Sequence, residues 1–370
     1  MFHRQHVLQA CYRNHFLGQA SLHDIRDKLR EAAACGLGGI ELFYDDLEAL
    51  ARLLSTDTCS IVRPPSRHNI QEAARTIRDL CDDLHLVILN LQPFRFYEGL
   101  VDRAETARLQ EQVLPVWLEI VQILGTSTIL VASNFLGPDP VTGKARTHSG
   151  RLDVIVDDLR DMADRAALCS PPVRIAYEAI AWGNEINKWE QAWEVVQLVD
   201  RPNFGLALDT FNMAAAVFAD PTTETGMIED SAASAQSGMQ ATLHRMATEL
   251  DMTKVFVVQI ADGERLAEPL RSGHPFYVAG QPPRMSWSRN ARLFLCEPER
   301  GCYLPVVDVV RLLVEQLGWR GWLSYEVFSR TLADPSPETP ATHAARAARS
   351  WQNLIAVIET EGGNLIRERL

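Results

Sequence analysis

The chain has 370 residues, 46 % of them hydrophobic, with a net charge of −12 and a pI near 5.3. That apolar content suffices for one large core, and the acidic balance argues against a surface that tracks nucleic-acid phosphates. No apolar run reaches the length of a membrane span, the first residues lack a secretory apolar region, and seven cysteines without a CxxC pair suit a reducing compartment, so a cytoplasmic protein is expected.

Short apolar runs recur along the chain, each preceded by a stretch of helical period. GIELF (39–43) follows DIRDKLREAAACG, which reads as a helix closed by glycine. HLVILNLQPF (85–94) follows QEAARTIRDLCDDL, and TSTILVASNF (126–135) follows ARLQEQVLPVWLEIVQILG. VRIAYEAI (173–180), FGLALDTFN (204–212), KVFVVQIAD (254–262) and WLSYEVF (322–328) come after LDVIVDDLRDMADRAALC, KWEQAWEVVQLVD, LHRMATELDM and VVDVVRLLVEQLG. A last helix, AARAARSWQNLIAVIE, closes the pattern.

Seven strands alternating with helices imply parallel βαβ units with both sheet faces covered. An eighth strand would complete a (β/α)8 TIM barrel, and HVLQACYR (6–13), broken by polar residues, is the candidate; an irregular first strand is expected. A doubly wound open sheet is the alternative, although no GxGxxG follows an early strand. One domain is expected over 1–370, with a divergent N-terminal segment (1–25) and a C-terminal tail (356–370). Three stretches rich in Gly, Pro, Ser and Thr, at 135–150, 218–238 and 266–290, read as long loops. Two of them directly follow strands, on the side where a barrel builds its active site.

Nearly every predicted strand carries a polar residue near its C-terminal end: Glu41, Gln92, Asn134, Glu178, Asp209, Gln259 and Glu326. One acidic residue at a strand end is more often a helix cap or ion-pair partner. Three carboxylates converging at one barrel mouth, Glu178, Asp209 and Glu326, repel one another unless a cation lies among them. A hard divalent ion ligated by oxygens, with Gln259 as a neutral fourth ligand, is the simplest compensation. For Glu41 a structural hydrogen bond serves as well, and Gln92 and Asn134 suit loop backbone.

IELFYDDL, LQPFRFYEGL, YEAIAW, RPNFGLALDTFN, FVVQIADGERL, GHPFY, RMSWSRNARLF and WLSYEVF together resemble the fungal 3-dehydroshikimate dehydratases of quinate catabolism. These are xylose isomerase-like TIM barrels, and the resemblance spans about residues 30 to 355. It implies a divalent metal cation (Mg, Mn or Co), a small-molecule substrate, 3-dehydroshikimate, and a lyase reaction giving protocatechuate and water. Carried over by motif, the metal ligands are Glu178, Asp209, Gln259 and Glu326. Arg95, with Ser288 and Arg292, would hold the substrate carboxylate, because the planar guanidinium suits bidentate pairing; a solvated arginine and a loop-capping pair are the plainer alternatives.

The implied chemistry is β-elimination beside a ketone, which needs a proton acceptor and a donor to the departing hydroxyl. Bacterial relatives carry His where this chain has Asn212, and an amide cannot abstract a proton. Asn212 is therefore expected to orient substrate or water, and His274 of SGHPFY is the loop histidine that would move a proton, with Glu178 and Glu326 as further candidates. Tyr177, Trp182, Phe211 and Trp287 would line the pocket or simply pack.

A keto-sugar isomerase or epimerase on the same scaffold is the rival enzyme, distinguished by having no need of a carboxylate clamp. An endonuclease needing several zinc ions would want histidines at the strand ends, which are missing here. A non-catalytic sensor would be expected to have lost carboxylates. The sequence is compatible with a homo-oligomer without specifying one, and it points to neither nucleic acid nor membrane as partner.

Overall fold

The computed structural model describes residues 9–13, 17–55, 64–228 and 231–367, with backbone alone for 9–13 and 360–367. Eight parallel strands close a barrel: β1 (Gln9–Arg13), β2 (Gly39–Phe43), β3 (Val87–Phe94), β4 (Thr128–Ala132), β5 (Arg174–Glu178), β6 (Phe204–Asp209), β7 (Val255–Ile260) and, after a two-residue antiparallel ladder of β8 (Asp262–Gly263) and β9 (Arg292–Leu293), β10 (Trp322–Tyr325). The barrel order is β1-β10-β7-β6-β5-β4-β3-β2.

Strand periodicity decides what faces where. On β5, Ile175 and Tyr177 pack outward with the helices, whereas Ala176 faces an inner group with Leu130, Ala207 and Val257. Two residues further along the inner face come Glu178, Asp209 and Gln259, all buried. Small and branched residues thus fill the barrel floor, and the polar residues sit one layer above it, at the C-terminal end.

The ends of the chain add detail to these expectations. The first strand is regular over Gln9–Arg13 and pairs on both sides, with Gln9 opposite Trp322 and Arg13 opposite Glu41. The ladder is made by backbone groups, so polar side chains do not preclude it; residues 6–8 of the expected strand lie outside the described residues. The final helix runs from Thr339 to Arg367, so residues 356–367 continue it. Its two glycines cost about 1 kcal/mol each relative to alanine, which a helix of 29 residues absorbs.

Two loop expectations fail in part. Residues 232–238 begin the helix Ala232–Glu249, capped by the Ser231 side chain, which accepts from Ser234 N–H. Residues 283–290 lie in the helix Pro283–Ala291, where a starting proline loses only an N–H that would have no partner anyway. Gly263 permits the close packing of this second helix: a Cβ there would meet Trp287 at 2.5 Å.

No helix among the described residues is long and apolar enough to cross a membrane. The described cysteines Cys35, Cys81, Cys169, Cys296 and Cys302 carry free thiols.

Candidate active site

Strands β5 and β6 end on Glu178 and Asp209, and Glu326 follows β10 directly. Each offers a carboxylate oxygen such that the three atoms lie within 4.8 Å of one another, and all three residues are buried. Burial and the neighbouring Glu326 lift the Asp209 carboxyl to about 7, against the pull of Arg292. Asn212, in the first turn of the helix that follows β6, ties the group together. Its Nδ2 donates to Glu178 Oε1 at 2.8 Å and to Asp209 Oδ2 at 3.0 Å, while its Oδ1 accepts from Ala181 N–H at 3.1 Å.

Arg292 supplies the positive charge. Only 1 % of it is exposed, and its Nη1 lies 2.6 Å from both Asp209 Oδ2 and Glu326 Oε2 and 3.1 Å from Glu326 O. Its Nε donates to Ser288 Oγ at 2.9 Å, and its guanidinium lies 4.3 Å above the Phe211 ring. The resemblance implies that Arg292 and Ser288 hold a substrate carboxylate. The structure ties the Arg292 guanidinium to the protein's own carboxylates, with Ser288 as its anchor.

Gln259 is brought beside the same group, although its amide nitrogen is engaged elsewhere. Its Nε2 donates to Glu41 Oε2 at 3.0 Å and to Glu326 Oε1 at 3.3 Å. Glu41 Oε2 also accepts from Asn90 Nδ2 at 2.7 Å and Gln92 Nε2 at 2.8 Å. Gln92 therefore serves Glu41 and not a loop. Among the described residues, the buried amide oxygen Gln259 Oε1 has no hydrogen-bond partner, an arrangement that costs free energy unless something else accepts its lone pairs. Three carboxylates, two of them paired with one guanidinium, and a spare amide oxygen beside them form a hard-oxygen donor set that fits a divalent cation.

A cavity of about 340 Å³ opens above this cluster, lined by Glu178, Glu326, Ser288 and Arg292 at its floor and Arg95 and Arg289 towards its rim. Arg95 is one-third exposed, held by Asp45 at 3.0 Å and stacked over Phe43. Arg289, which is not among the expected site residues although it stands in SWSRNAR, is exposed, and its Nη1 donates to Gln281 Oε1 at 3.0 Å. Partial desolvation and the like charge of Arg95 lower its basicity. Phe135 and Trp182 form the opposite wall, their rings 6.3 Å apart and edge to face. A second cavity, of about 460 Å³, opens at the N-terminal end of the barrel. The chemistry is assigned to the C-terminal one, where the carboxylate cluster meets the rim arginines.

His274 stands elsewhere. Its Nδ1 accepts from Phe276 N–H at 3.1 Å, its ring packs on Phe276, and it is not among the cavity-lining residues. Asn134 braces the wall behind the cavity: its N–H donates to Glu98 Oε1 at 2.6 Å and its Nδ2 to Glu98 O at 2.8 Å, while Tyr177 Oη donates to the same Oε1 at 3.0 Å. Burial raises the Glu98 carboxyl to about 7.

The family model of the xylose isomerase-like TIM barrels matches residues 29–354. The chain belongs to this family. It is 43 % identical over 333 residues to the 3-dehydroshikimate dehydratase of Neurospora crassa, covering 90 % of this chain and 89 % of that protein. Among solved structures, a xylose isomerase-like TIM barrel/4-hydroxyphenylpyruvate dioxygenase fusion protein superposes with a TM-score of 0.66 at 25 % identity, over 96 % of this chain and 44 % of the fusion. The IolI protein with a bound zinc atom superposes at 0.63 and 16 % identity, over 95 % of this chain and 99 % of that one.

Proposed function

We propose that the protein is a divalent-metal-dependent 3-dehydroshikimate dehydratase, a hydro-lyase that turns 3-dehydroshikimate into protocatechuate and water. The observation that carries the reading is a buried carboxylate cluster beneath a cavity rimmed by two arginines, in a chain 43 % identical over most of its length to a dehydratase of that name. Glu178, Asp209, Glu326 and the Oε1 of Gln259 would hold the cation. When bound, Mg²⁺, Mn²⁺ or Co²⁺ supplies Lewis acidity for the enolate charge that develops on a ketone oxygen.

The side chains account for the remaining work. Arg95 and Arg289 at the rim attract the substrate carboxylate, and Ser288 donates to it. Glu178 and Glu326 line the cavity floor, so one of them takes the proton from the carbon beside the ketone; in this reading His274 does not. The C–H electron pair becomes the enolate double bond, and the C–O bond one carbon further breaks. The departing hydroxide takes a proton and leaves as water, and tautomerisation makes the ring aromatic. Asn212 fixes the Glu178 carboxylate throughout. Phe135 and Trp182 exclude water. The compartment fits the cytosol, where free thiols persist.

The test incubates the protein with 3-dehydroshikimate and Mg²⁺ or Mn²⁺ and follows the ultraviolet absorbance of protocatechuate. Turnover that EDTA removes supports the reading. No absorbance change under any of the metals, with a keto-sugar converted instead, would replace it by an isomerase.

A further inference from the structure

Asp209 has no acceptor position to spare. A carboxylate offers about four lone-pair sites, and four donors occupy those of Asp209: Phe211 N–H (2.7 Å) and Asn212 N–H (3.3 Å) on Oδ1, Asn212 Nδ2 (3.0 Å) and Arg292 Nη1 (2.6 Å) on Oδ2. A cation can reach Asp209 only if one donor withdraws. The two backbone donors belong to the first turn of the helix Thr210–Val217, whose cap Asp209 is. Asn212 Nδ2 is held by its second acceptor, Glu178, and by the Ala181 N–H on its Oδ1. Arg292 is the remaining donor, and it alone bears the same sign of charge as the incoming ion.

We propose that the guanidinium of Arg292 and the divalent cation exchange at Asp209 Oδ2 and Glu326 Oε2, so that loading the ion turns Arg292 from a partner of the protein's carboxylates into one for the substrate's. The inference rests on the metal-dependent reading above. Its geometry is favourable: Nε remains anchored on Ser288 Oγ while Nη1 swings, and both residues already line the cavity that Arg95 and Arg289 rim. Cation and organic anion then bind cooperatively, and each raises the other's affinity by the same factor. Before loading, Arg292 suppresses the repulsion among three buried carboxylates. After loading, the ion takes that task over.

Isothermal titration of the purified protein with Mn²⁺, and with benzoate as a carboxylate probe lacking hydroxyls to chelate the metal, tests this without turnover. In the parent protein, benzoate is expected to bind about ten-fold more tightly when Mn²⁺ is saturating, the scale of one charge-assisted hydrogen bond. Arg292→Gln is expected to bind Mn²⁺ about ten-fold more tightly than the parent and to lose the coupling. Arg292→Lys, keeping the charge without the fork, should fall between the two. Benzoate affinity indifferent to Mn²⁺ in the parent, or Arg292→Gln binding Mn²⁺ no tighter, overturns the exchange while leaving the metal site intact. A parent that binds no Mn²⁺ overturns the metal reading itself, and the exchange with it.

Discussion

Asn212→Ala removes one side chain that three separate segments depend on. Two of its hydrogen bonds go to carboxylates, Glu178 and Asp209, and the third leaves Ala181 N–H without an acceptor. Hydrogen bonds to charged groups contribute about 1.5–3 kcal/mol each, and an orphaned amide costs about 1 kcal/mol or more. Water entering the small space left behind recovers part of this, so a loss of about 4 kcal/mol is expected. For 370 residues, an unfolding entropy of roughly 2 cal/mol/K per residue converts that loss into a fall of about 5 °C in melting temperature. Thermal melts followed by circular dichroism in EDTA should show it. If the proposed site is right, saturating Mn²⁺ should narrow the gap, because the ion would gather Glu178 and Asp209 without the amide. A variant that melts with the parent in EDTA would refute the view that Asn212 holds the cluster together.

Glu178→Gln keeps the shape but removes the charge of the proposed ligand and proton acceptor; turnover should fall by at least about 100-fold, with Mn²⁺ affinity weakened in a direct titration. Arg289→Gln should raise KM for the carboxylate-bearing substrate by about ten-fold or more with little change in kcat, since it is aimed at binding and not at the reacting bonds. Glu98 supplies a pH test. Its carboxyl titrates at about 7 in the fold against 4.5 unfolded, so in that window the folded chain keeps a proton that the unfolded chain has released. Stability from this group is full below pH 4.5, declines as pH rises through 7, and is then flat, a total of about 3 kcal/mol. Urea unfolding across that range should show the decline in the parent and a flatter profile in Glu98→Gln.

The barrel was readable because parallel strands buried on both faces are almost continuously apolar, so a polar residue inside one stands out. Glu178, Asp209, Gln259 and Glu326 stood out in this way, and the structure brings all four together. Their partners were not readable. Glu41 collects amides from Asn90, Gln92 and Gln259, contacts between strands separated by up to 218 residues. The pairing of Arg292 with Asp209 and Glu326 depends on where a long excursion returns to the barrel, which no local pattern encodes. The Ser- and Ala-rich start of the helix Ala232–Glu249 misled for a different reason: small residues mark loops by composition, yet alanine favours helix and serine caps it. His274 was singled out by its neighbourhood in the chain, and side-chain direction is decided by packing.

The two-residue ladder between β8 and β9 has a consequence for how this protein could diversify. Gly263 lies opposite Arg292 and Asp262 opposite Leu293, and Arg292 N–H is further pinned to Phe328 O at 2.9 Å. The stretch between the two rungs is thereby clasped at its base. Residues 271–280, largely exposed at its far end, are insulated from the catalytic floor by this clasp. Lengthening, trimming or replacing them should leave the carboxylate cluster in register, while Gly280, which lines an adjoining cavity together with Phe135 and Arg289, makes the end of that stretch the place where such changes would reach the rim.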